Sequence, residues 1–205
     1  MRRVVYRLLA HFGAFSMPLK EARYPVDARG QPDLRYYTDP LEYYVAMYEQ
    51  HLGALEGKKG VGYEIELAFS RRVHAMWGLI AKGAVAAPYA LSLLGRSIPE
   101  AREDGAAILA ELGRDEAVAE KLIESLKSET DTTARDSIIL ALGRLKNQKA
   151  IPSLAAIIRD PATNGDTKWT AVESLGLIVR KRFLKQDNPV QAAITWIDSH
   201  PELVV

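Results

Sequence analysis

The sequence predicts an all-α protein built as a right-handed α-solenoid, because one helical pattern recurs along residues 71–182. In each recurrence a helix rich in small residues runs into a glycine, and a short turn and a second apolar helix follow. The glycines are Gly78, Gly113, Gly143 and Gly176, spaced 35, 30 and 33 residues apart. Periods of this size indicate stacked helical pairs, since one pair alone cannot bury its apolar face.

The composition is that of an ordinary globular protein and argues against several classes of function. Of the 205 residues, 48% are hydrophobic and 26% are charged, and the formal net charge is +1. This near-neutral balance does not favour a nucleic-acid-binding protein. The sequence has no cysteine, which excludes disulfides and thiol chemistry and favours a cytoplasmic location. Its apolar runs are shorter than the roughly 18 residues of a membrane-spanning helix.

The chain divides into an N-terminal extension, residues 1–62, and a repeat array, residues 63–205, of about four helical pairs. Within the extension, the segment 16–38 has no lasting periodicity and is predicted to be irregular. A helix is predicted to begin at Asp39 and Pro40, which are typical helix-start residues. We expect this helix to act as an N-terminal helical cap on the array, because a solenoid needs an atypical terminal element.

Residues 1–15 are predicted to form a basic amphipathic helix, with Arg2, Arg3 and Arg7 between apolar positions. Arg7 and His11 interrupt the apolar run that a signal peptide requires. An amphipathic helix of this kind either docks on its own protein or lies on a membrane surface, so peripheral membrane contact is an open alternative.

The helices of the array have recognisable ends. We expect Pro99 to start the first helix of the second repeat, and Asp131 and Asp166 to cap those of the third and fourth. The first helices of the second and third repeats are predicted to end at Gly113 and Gly143. The tryptophans Trp77, Trp169 and Trp196 fit the helical pattern of core residues.

The clearest repeats are residues 133–143 with 150–154, and residues 168–176. They resemble the HEAT repeat, specifically the short bacterial HEAT-like repeat that is also found in phycobilisome lyases. The resemblance covers about residues 70–180.

Individual positions carry this resemblance. The basic residue that the repeat places eight positions before its glycine matches Arg135 and Lys168, and its proline in the second helix matches Pro88 and Pro152. The resemblance implies an α-solenoid whose second helices line a concave face. It leaves the function open, because arrays of this kind serve as scaffolds in unrelated systems.

The sequence contains no recognisable catalytic or metal-binding constellation, so we expect no catalytic residue, no metal and no cofactor. Its histidines are scattered, and His74 fits a partly buried structural residue better than a metal ligand. Charged residues on the two helices of the second repeat are predicted to form solvent-exposed pairs within one helix. They are Glu100, Arg102, Glu103, Glu120, Lys121 and Glu124.

We interpret the protein as a non-catalytic protein-binding scaffold or adaptor that uses the concave face of the array. The candidate contact residues are those predicted to be exposed on the second helices. Their mixed charge suits a protein partner better than a polyanion. They are Tyr89, Ser92, Lys121, Glu124, Ser153 and Arg159.

A tyrosine-rich segment, residues 36–48, offers an alternative surface through Tyr36, Tyr37 and Tyr43. Tyrosine is common at interfaces because it buries area at low entropic cost. In the competing interpretation, Tyr44 and Tyr48 are core residues of the terminal cap that closes the end of the solenoid.

Two other functions remain as alternatives. The resemblance to phycobilisome lyases suggests a bilin lyase or chaperone-type subunit. HEAT-like arrays also include DNA-repair enzymes, and the basic run 180–185 together with the tryptophans suggests such a DNA-binding protein. That run also fits a helix C-terminus, where cations complement the helix dipole. We therefore expect a protein partner rather than nucleic acid.

Overall fold

The computed structural model describes residues 32–52, 63–113 and 115–204, with the backbone alone for residues 63–70. These described residues form α-helices, short 3₁₀ turns and loops, and no β-strand occurs among them. They belong to two compact units, Met1–Ala81 and Lys82–Val205.

Several sequence predictions concern residues outside this description, namely the amphipathic helix over residues 1–15 and most of the irregular segment 16–38. The predicted boundary between residues 62 and 63 falls inside the first compact unit. Within the described part of the chain, none of the helices combines the length and the apolar character that a membrane span requires.

In the described part of the first unit, helix α1 (Leu41–Leu52) packs against helix α2 (Tyr63–Ala81). The side chains of Tyr44 and Tyr48 on α1 are fully buried, which confirms their interpretation as core residues. A Cβ atom built at Gly78 would lie 2.1 Å from Cδ1 of Tyr44. The tyrosine ring therefore fills the space that any side chain at residue 78 would need.

The second unit is a ladder of helices in which each first helix packs beside the first helix of the next repeat. The first helices α4, α6 and α8 follow one another in this way, and α3, α5 and α7 each pack on the first helix of the repeat that follows. This arrangement confirms the predicted all-α solenoid. The helices are α3 (Ala87–Leu93), α4 (Pro99–Leu112), α5 (Glu116–Ser128), α6 (Thr132–Leu145), α7 (Ile151–Arg159), α8 (Gly165–Val179) and α9 (Pro189–Asp198).

Of the three helix starts predicted within the array, two are confirmed and one is wrong. Pro99 is the first residue of α4. The Asp131 carboxylate accepts hydrogen bonds from the backbone N–H groups of Thr133 and Ala134, both at 3.0 Å. The cap of α8 is Asn164 rather than Asp166, because the helix begins at Gly165 and leaves Asp166 within its first turn.

Of the two predicted helix ends, the one at Gly143 is wrong. Gly113 does end α4, with a φ of 106° that favours glycine. In contrast, α6 and α8 continue past their glycines and end at Lys146 and Arg180, which adopt the left-handed conformation with φ of 54° and 57°. The internal glycines instead allow close approach of neighbouring backbone.

The tryptophans do not all lie in the core, and the prediction is wrong for Trp169. Trp196 is buried, whereas 45% of Trp169 is exposed. The buried stripe of α8 runs through Thr167, Ala171 and Leu175, at a spacing of one helical turn. Trp169 lies half a turn away from that stripe, so its side chain faces outward.

Candidate partner-binding surface

The predicted contact residues lie on three successive second helices. Tyr89 and Ser92 belong to α3, Lys121 and Glu124 to α5, and Ser153 and Arg159 to α7. Four of these side chains are exposed, and those of Tyr89 and Ser153 are half-buried. We call this set the second-helix row.

The charged members of the second-helix row are already engaged in ion pairs. Lys121 Nζ lies 2.7 Å from Glu124 Oε2, and both side chains are largely exposed. Arg159 Nη2 lies 2.5 Å from Asp198 Oδ1, which extends the row onto α9. Because each pair combines opposite charges, the row presents mixed signs over a short distance.

Asp198 was not identified from the sequence, because its partner Arg159 lies 39 residues earlier in the chain. The adjacent positions of α7 and α9 in the fold bring the two side chains together. A search for pairs within one helix cannot find such a contact. Such an ion pair can be recognised only when it is known which side chains of consecutive repeats lie next to each other.

Other charged residues join neighbouring repeats, contrary to the prediction of solvated pairs within one helix. Lys149 precedes α7 and lies 2.6 Å from Glu116 Oε1 and 2.7 Å from Glu120 Oε1 on α5. These carboxylates raise the pKa of Lys149 above its ordinary value. Arg144 on α6 pairs in the same way with Glu111 on α4.

The most buried of these links joins Arg102 on α4 to Glu129, which precedes α6. The guanidinium donates to both carboxylate oxygens, from Nε to Oε2 at 2.7 Å and from Nη2 to Oε1 at 2.8 Å. Only 3% of the Glu129 side chain is exposed. The hydrogen bonds from Arg102 lower the pKa of Glu129. Arg102 also donates through Nη1 to the carbonyl oxygens of Arg96 and Ser97.

An apolar residue that the sequence analysis missed stands beside the row. Val85 is 69% exposed and precedes Tyr89 by about one helical turn. It lies in the 3₁₀ turn Gly83–Ala86, immediately before α3. The sequence signal for this exposed side chain was a β-branched residue in a glycine-containing turn, because few residues of such a turn can face the core.

The alternative tyrosine surface in the first unit is smaller than predicted. Tyr36 is 65% exposed and Tyr43 is 46% exposed. Tyr37 is buried instead, and its ring centroid lies 4.9 Å from that of His74. Tyr37 therefore presents no surface to a partner, whereas the neighbouring Leu34 is exposed.

His74 is half-buried between tyrosine rings, and Tyr44 is the second of them, with a centroid separation of 6.1 Å. Burial lowers the pKa of His74, against a smaller opposing effect of the Asp39 carboxylate. Among the described residues, no three histidine, aspartate or glutamate side chains are grouped so that they could hold a metal ion. The geometry around His74 is that of a packed structural residue.

Comparison with protein-family models gives one result that bears on identity. A model described as HEAT repeats matches residues 87–176 and, in a second overlapping match, residues 119–193. The searches of curated proteins and of solved structures found no match. The two matched ranges span α3 to α8 and the first half of α9, which is more than half of the chain. The chain therefore belongs to the HEAT-repeat family.

Proposed function

We propose that this protein is a non-catalytic protein-binding scaffold, and that the second-helix row with Asp198 forms its contact surface. Stacked repeats of this type create extended surfaces on which partners bind. The observation that carries the proposal is the series of exposed residues on α3, α5 and α7, which continues onto α9. A cytoplasmic location, favoured by the lack of cysteine, belongs to the same proposal.

The charge pattern supports a protein partner. The exposed Lys121–Glu124 and Arg159–Asp198 pairs stand on neighbouring repeats, so positive and negative groups alternate along the surface. Exposed ion pairs of this kind contribute little to folding, because solvent screens them. Across an interface, alternating charges instead select a partner with the complementary order of charges.

The decisive experiment reverses this pattern without changing the net charge. The tagged protein captures its partner from native lysate, and the affinity of the purified partner is then measured for wild type and for a charge-swap variant. We expect the swap to weaken binding at least about tenfold, because it places like charges opposite each other. The variant carries Lys121→Glu, Glu124→Lys, Arg159→Asp and Asp198→Arg.

A matched control swaps another ion pair of the array. Glu111→Arg with Arg144→Glu also preserves both the net charge and the pairing, but it lies on the first helices α4 and α6. The melting temperature of each variant verifies its folding. Equal affinity of the charge-swap variant and wild type would refute the second-helix row as the site and leave Tyr36 and Tyr43 as the next candidates.

The two alternative functions give different results in the same preparation. A bilin-handling subunit would carry the visible absorbance of a tetrapyrrole. A DNA-binding array would bind nucleic acid with an affinity that falls steeply as salt rises, because counterions are released from the phosphates. A defined protein that binds without either ligand supports the scaffold function.

A further inference from the structure

The C-terminal end of the second unit contains a cleft of about 560 Å³, and none of the residues that line it belongs to the second-helix row. Lys181, Arg182 and Lys185 line it on one side, and Thr195 on α9 lines it on another. Phe183 and Trp196 form its floor. Its volume lies within the range of functional binding pockets.

A close backbone contact holds the basic side of this cleft in place. The chain reverses after α8, where Arg180 adopts a left-handed φ of 57° and the N–H of Lys181 donates to the carbonyl oxygen of Gly176 at 2.9 Å. A Cβ atom at Gly176 would lie 2.6 Å from the Lys181 carbonyl oxygen. The glycine thus permits the tight reversal that fixes the start of the basic run.

A buried aromatic contact anchors the next residues of the run. Phe183 is 6% exposed, and its ring meets that of Trp196 edge to face at a centroid separation of 6.2 Å. Edge-to-face pairs of this kind are energetically favourable and orient both rings. The cations that flank Phe183 are therefore presented from an ordered loop rather than from a free tail.

The cleft concentrates positive charge that has no counter-ion within the described part of the chain. Lys181, Arg182 and Lys185 are all exposed, and the described residues contain no ion pair to any of them and no carboxylate in the cleft lining. The nearby carboxylate of Asp198 is engaged by Arg159. A protein of net charge +1 thus carries a local cationic site, which attracts anionic partners.

We propose that this cleft binds an acidic peptide segment of a protein partner. Sites for single-stranded nucleic acid combine a cationic groove with exposed aromatic faces on which the bases stack. Here Phe183 and Trp196 are each more than nine-tenths buried, and the ring of His200 stacks on Trp196 at 4.3 Å with an interplanar angle of 21°. Carboxylate side chains need no such faces and pair directly with lysine and arginine.

The test uses a short fluorescein-labelled peptide that alternates glutamate with serine, and fluorescence anisotropy measures its affinity for the full chain. A peptide of the same length with glutamine in place of glutamate is the uncharged control probe. A labelled single-stranded oligonucleotide of similar length is the nucleic-acid probe. Each titration is repeated at higher salt, where an exposed electrostatic contact weakens.

Two double variants distinguish binding at the cleft from a general effect of the protein's net charge. Lys181→Glu with Lys185→Glu changes the cleft, whereas Lys127→Glu with Lys146→Glu reverses two exposed lysines elsewhere in the second unit. Both change the net charge equally. We expect the first pair to weaken binding of the glutamate peptide about tenfold and the second pair to change it less than about twofold.

The remaining outcomes overturn the proposal. Equal losses in the two double variants would show a general charge effect, and equal binding of the glutamine peptide would show that the acidic groups are not recognised. Tighter binding of the oligonucleotide than of the peptide, lost in the cleft variant, would assign the cleft to nucleic acid. Neither double variant substitutes a member of the second-helix row, so failure of this test would leave the function proposed for that row standing.

Discussion

Gly143 on α6 lies against Ser174 on α8 so closely that there is no room between them for a methyl group. A Cβ atom built at Gly143 would be 2.7 Å from the Cα, the Cβ and the Oγ of Ser174. Both residues are fully enclosed by the first helices of the third and fourth repeats. The glycine therefore sets the distance between these repeats, although the sequence suggested that it ended the helix.

The first prediction concerns this contact. Gly143→Ala should lower the free energy of unfolding by about 1–3 kcal/mol, because the added methyl group overpacks a rigid helix contact. This range is the net loss expected after the gain in helix propensity, about 1 kcal/mol, has been subtracted. Urea denaturation followed by far-UV circular dichroism measures the change.

Two further variants control for the intrinsic effect of alanine. Gly165→Ala places a methyl group where no atom lies within 4 Å, so it should change the stability by less than about 1 kcal/mol. Ser174→Gly should cost less stability in the Gly143→Ala background than in wild type, because it removes two of the three obstructing atoms, Cβ and Oγ. A loss of equal size in Gly143→Ala and Gly165→Ala would refute the packing explanation.

The second prediction concerns the pH dependence of the buried Arg102–Glu129 pair. Because Arg102 lowers the pKa of Glu129 in the folded protein, folding is favoured while the carboxylate is ionised in both states. This stabilisation is present above the ordinary pKa of 4.5 and is lost as the pH falls through the lowered, folded-state pKa. The free energy of unfolding should therefore decrease on acidification over that interval.

Glu129→Gln removes the titrating group and should cost about 2 kcal/mol at neutral pH, because a charge-assisted hydrogen bond is lost. The variant should also show a weaker pH dependence below pH 4.5 than wild type. Arg102→Lys tests the geometry, since lysine keeps the charge but cannot donate from two nitrogens of a planar group. An unchanged pH profile in Glu129→Gln would contradict the assignment.

The third prediction concerns His74 in the first unit. Burial lowers its pKa, so the folded protein binds this proton less readily than the unfolded chain does. Its contribution to stability is complete above the ordinary pKa of 6.5 and is lost as the pH falls from there through the folded-state value. An NMR titration of the imidazole Cε1 proton should give a midpoint below 6.5.

The matched variants use His74 and His51, two described histidines whose pKa is lowered. His74→Phe keeps a ring against Tyr37 and Tyr44 and should remove the part of the pH dependence that comes from His74. His51 also has a lowered pKa, through burial and then through the charge of Arg71. His51→Gln should therefore remove the separate part of the pH dependence that comes from His51. A midpoint for His74 at or above 6.5 would be inconsistent with its burial.

The fourth prediction compares two tryptophans of the second unit. Trp196→Ala should destabilise the protein by about 3–5 kcal/mol, because it empties a buried site between Phe183 and His200. Trp169→Ala should cost about 1 kcal/mol or less, since this side chain is 45% exposed. Chemical denaturation of both variants under identical conditions tests the difference, and similar losses would contradict the burial of Trp196 relative to Trp169.

The architecture was predictable because the repeat is encoded locally. The spacing of glycines and small residues indicated the helical ladder, and Pro99 and Asp131 marked two helix starts correctly. The positions of the second helices also followed from the repeat, so the members of the second-helix row could be named in advance. Their role as a contact surface remains a proposal.

The errors at Gly143 and in the pairing of charges share one physical cause. Helix capping and pairing within a helix depend on residues up to four positions apart, whereas Gly143 and Ser174 are separated by about one repeat. A glycine is needed inside α6 because the backbone of α8 lies against it, and no local sequence pattern predicts that contact. The error at the start of α8 is a separate, local one, because Asn164 and Asp166 are both preferred cap residues and only the structure shows that Asn164 accepts from the N–H of Thr167.

The sequence by itself determined the all-α repeat, its period and the order of its helices, because these depend on apolar periodicity that each repeat carries within itself. Only the tertiary structure decided which charges meet. Arg102 and Glu129 lie 27 residues apart, and Arg159 and Asp198 lie 39 apart. It also buried Tyr37 and gathered Lys181 and Lys185 around one cleft. Such contacts arise from stacking between repeats, and the sequence of either repeat alone does not determine the distance between two stacked side chains.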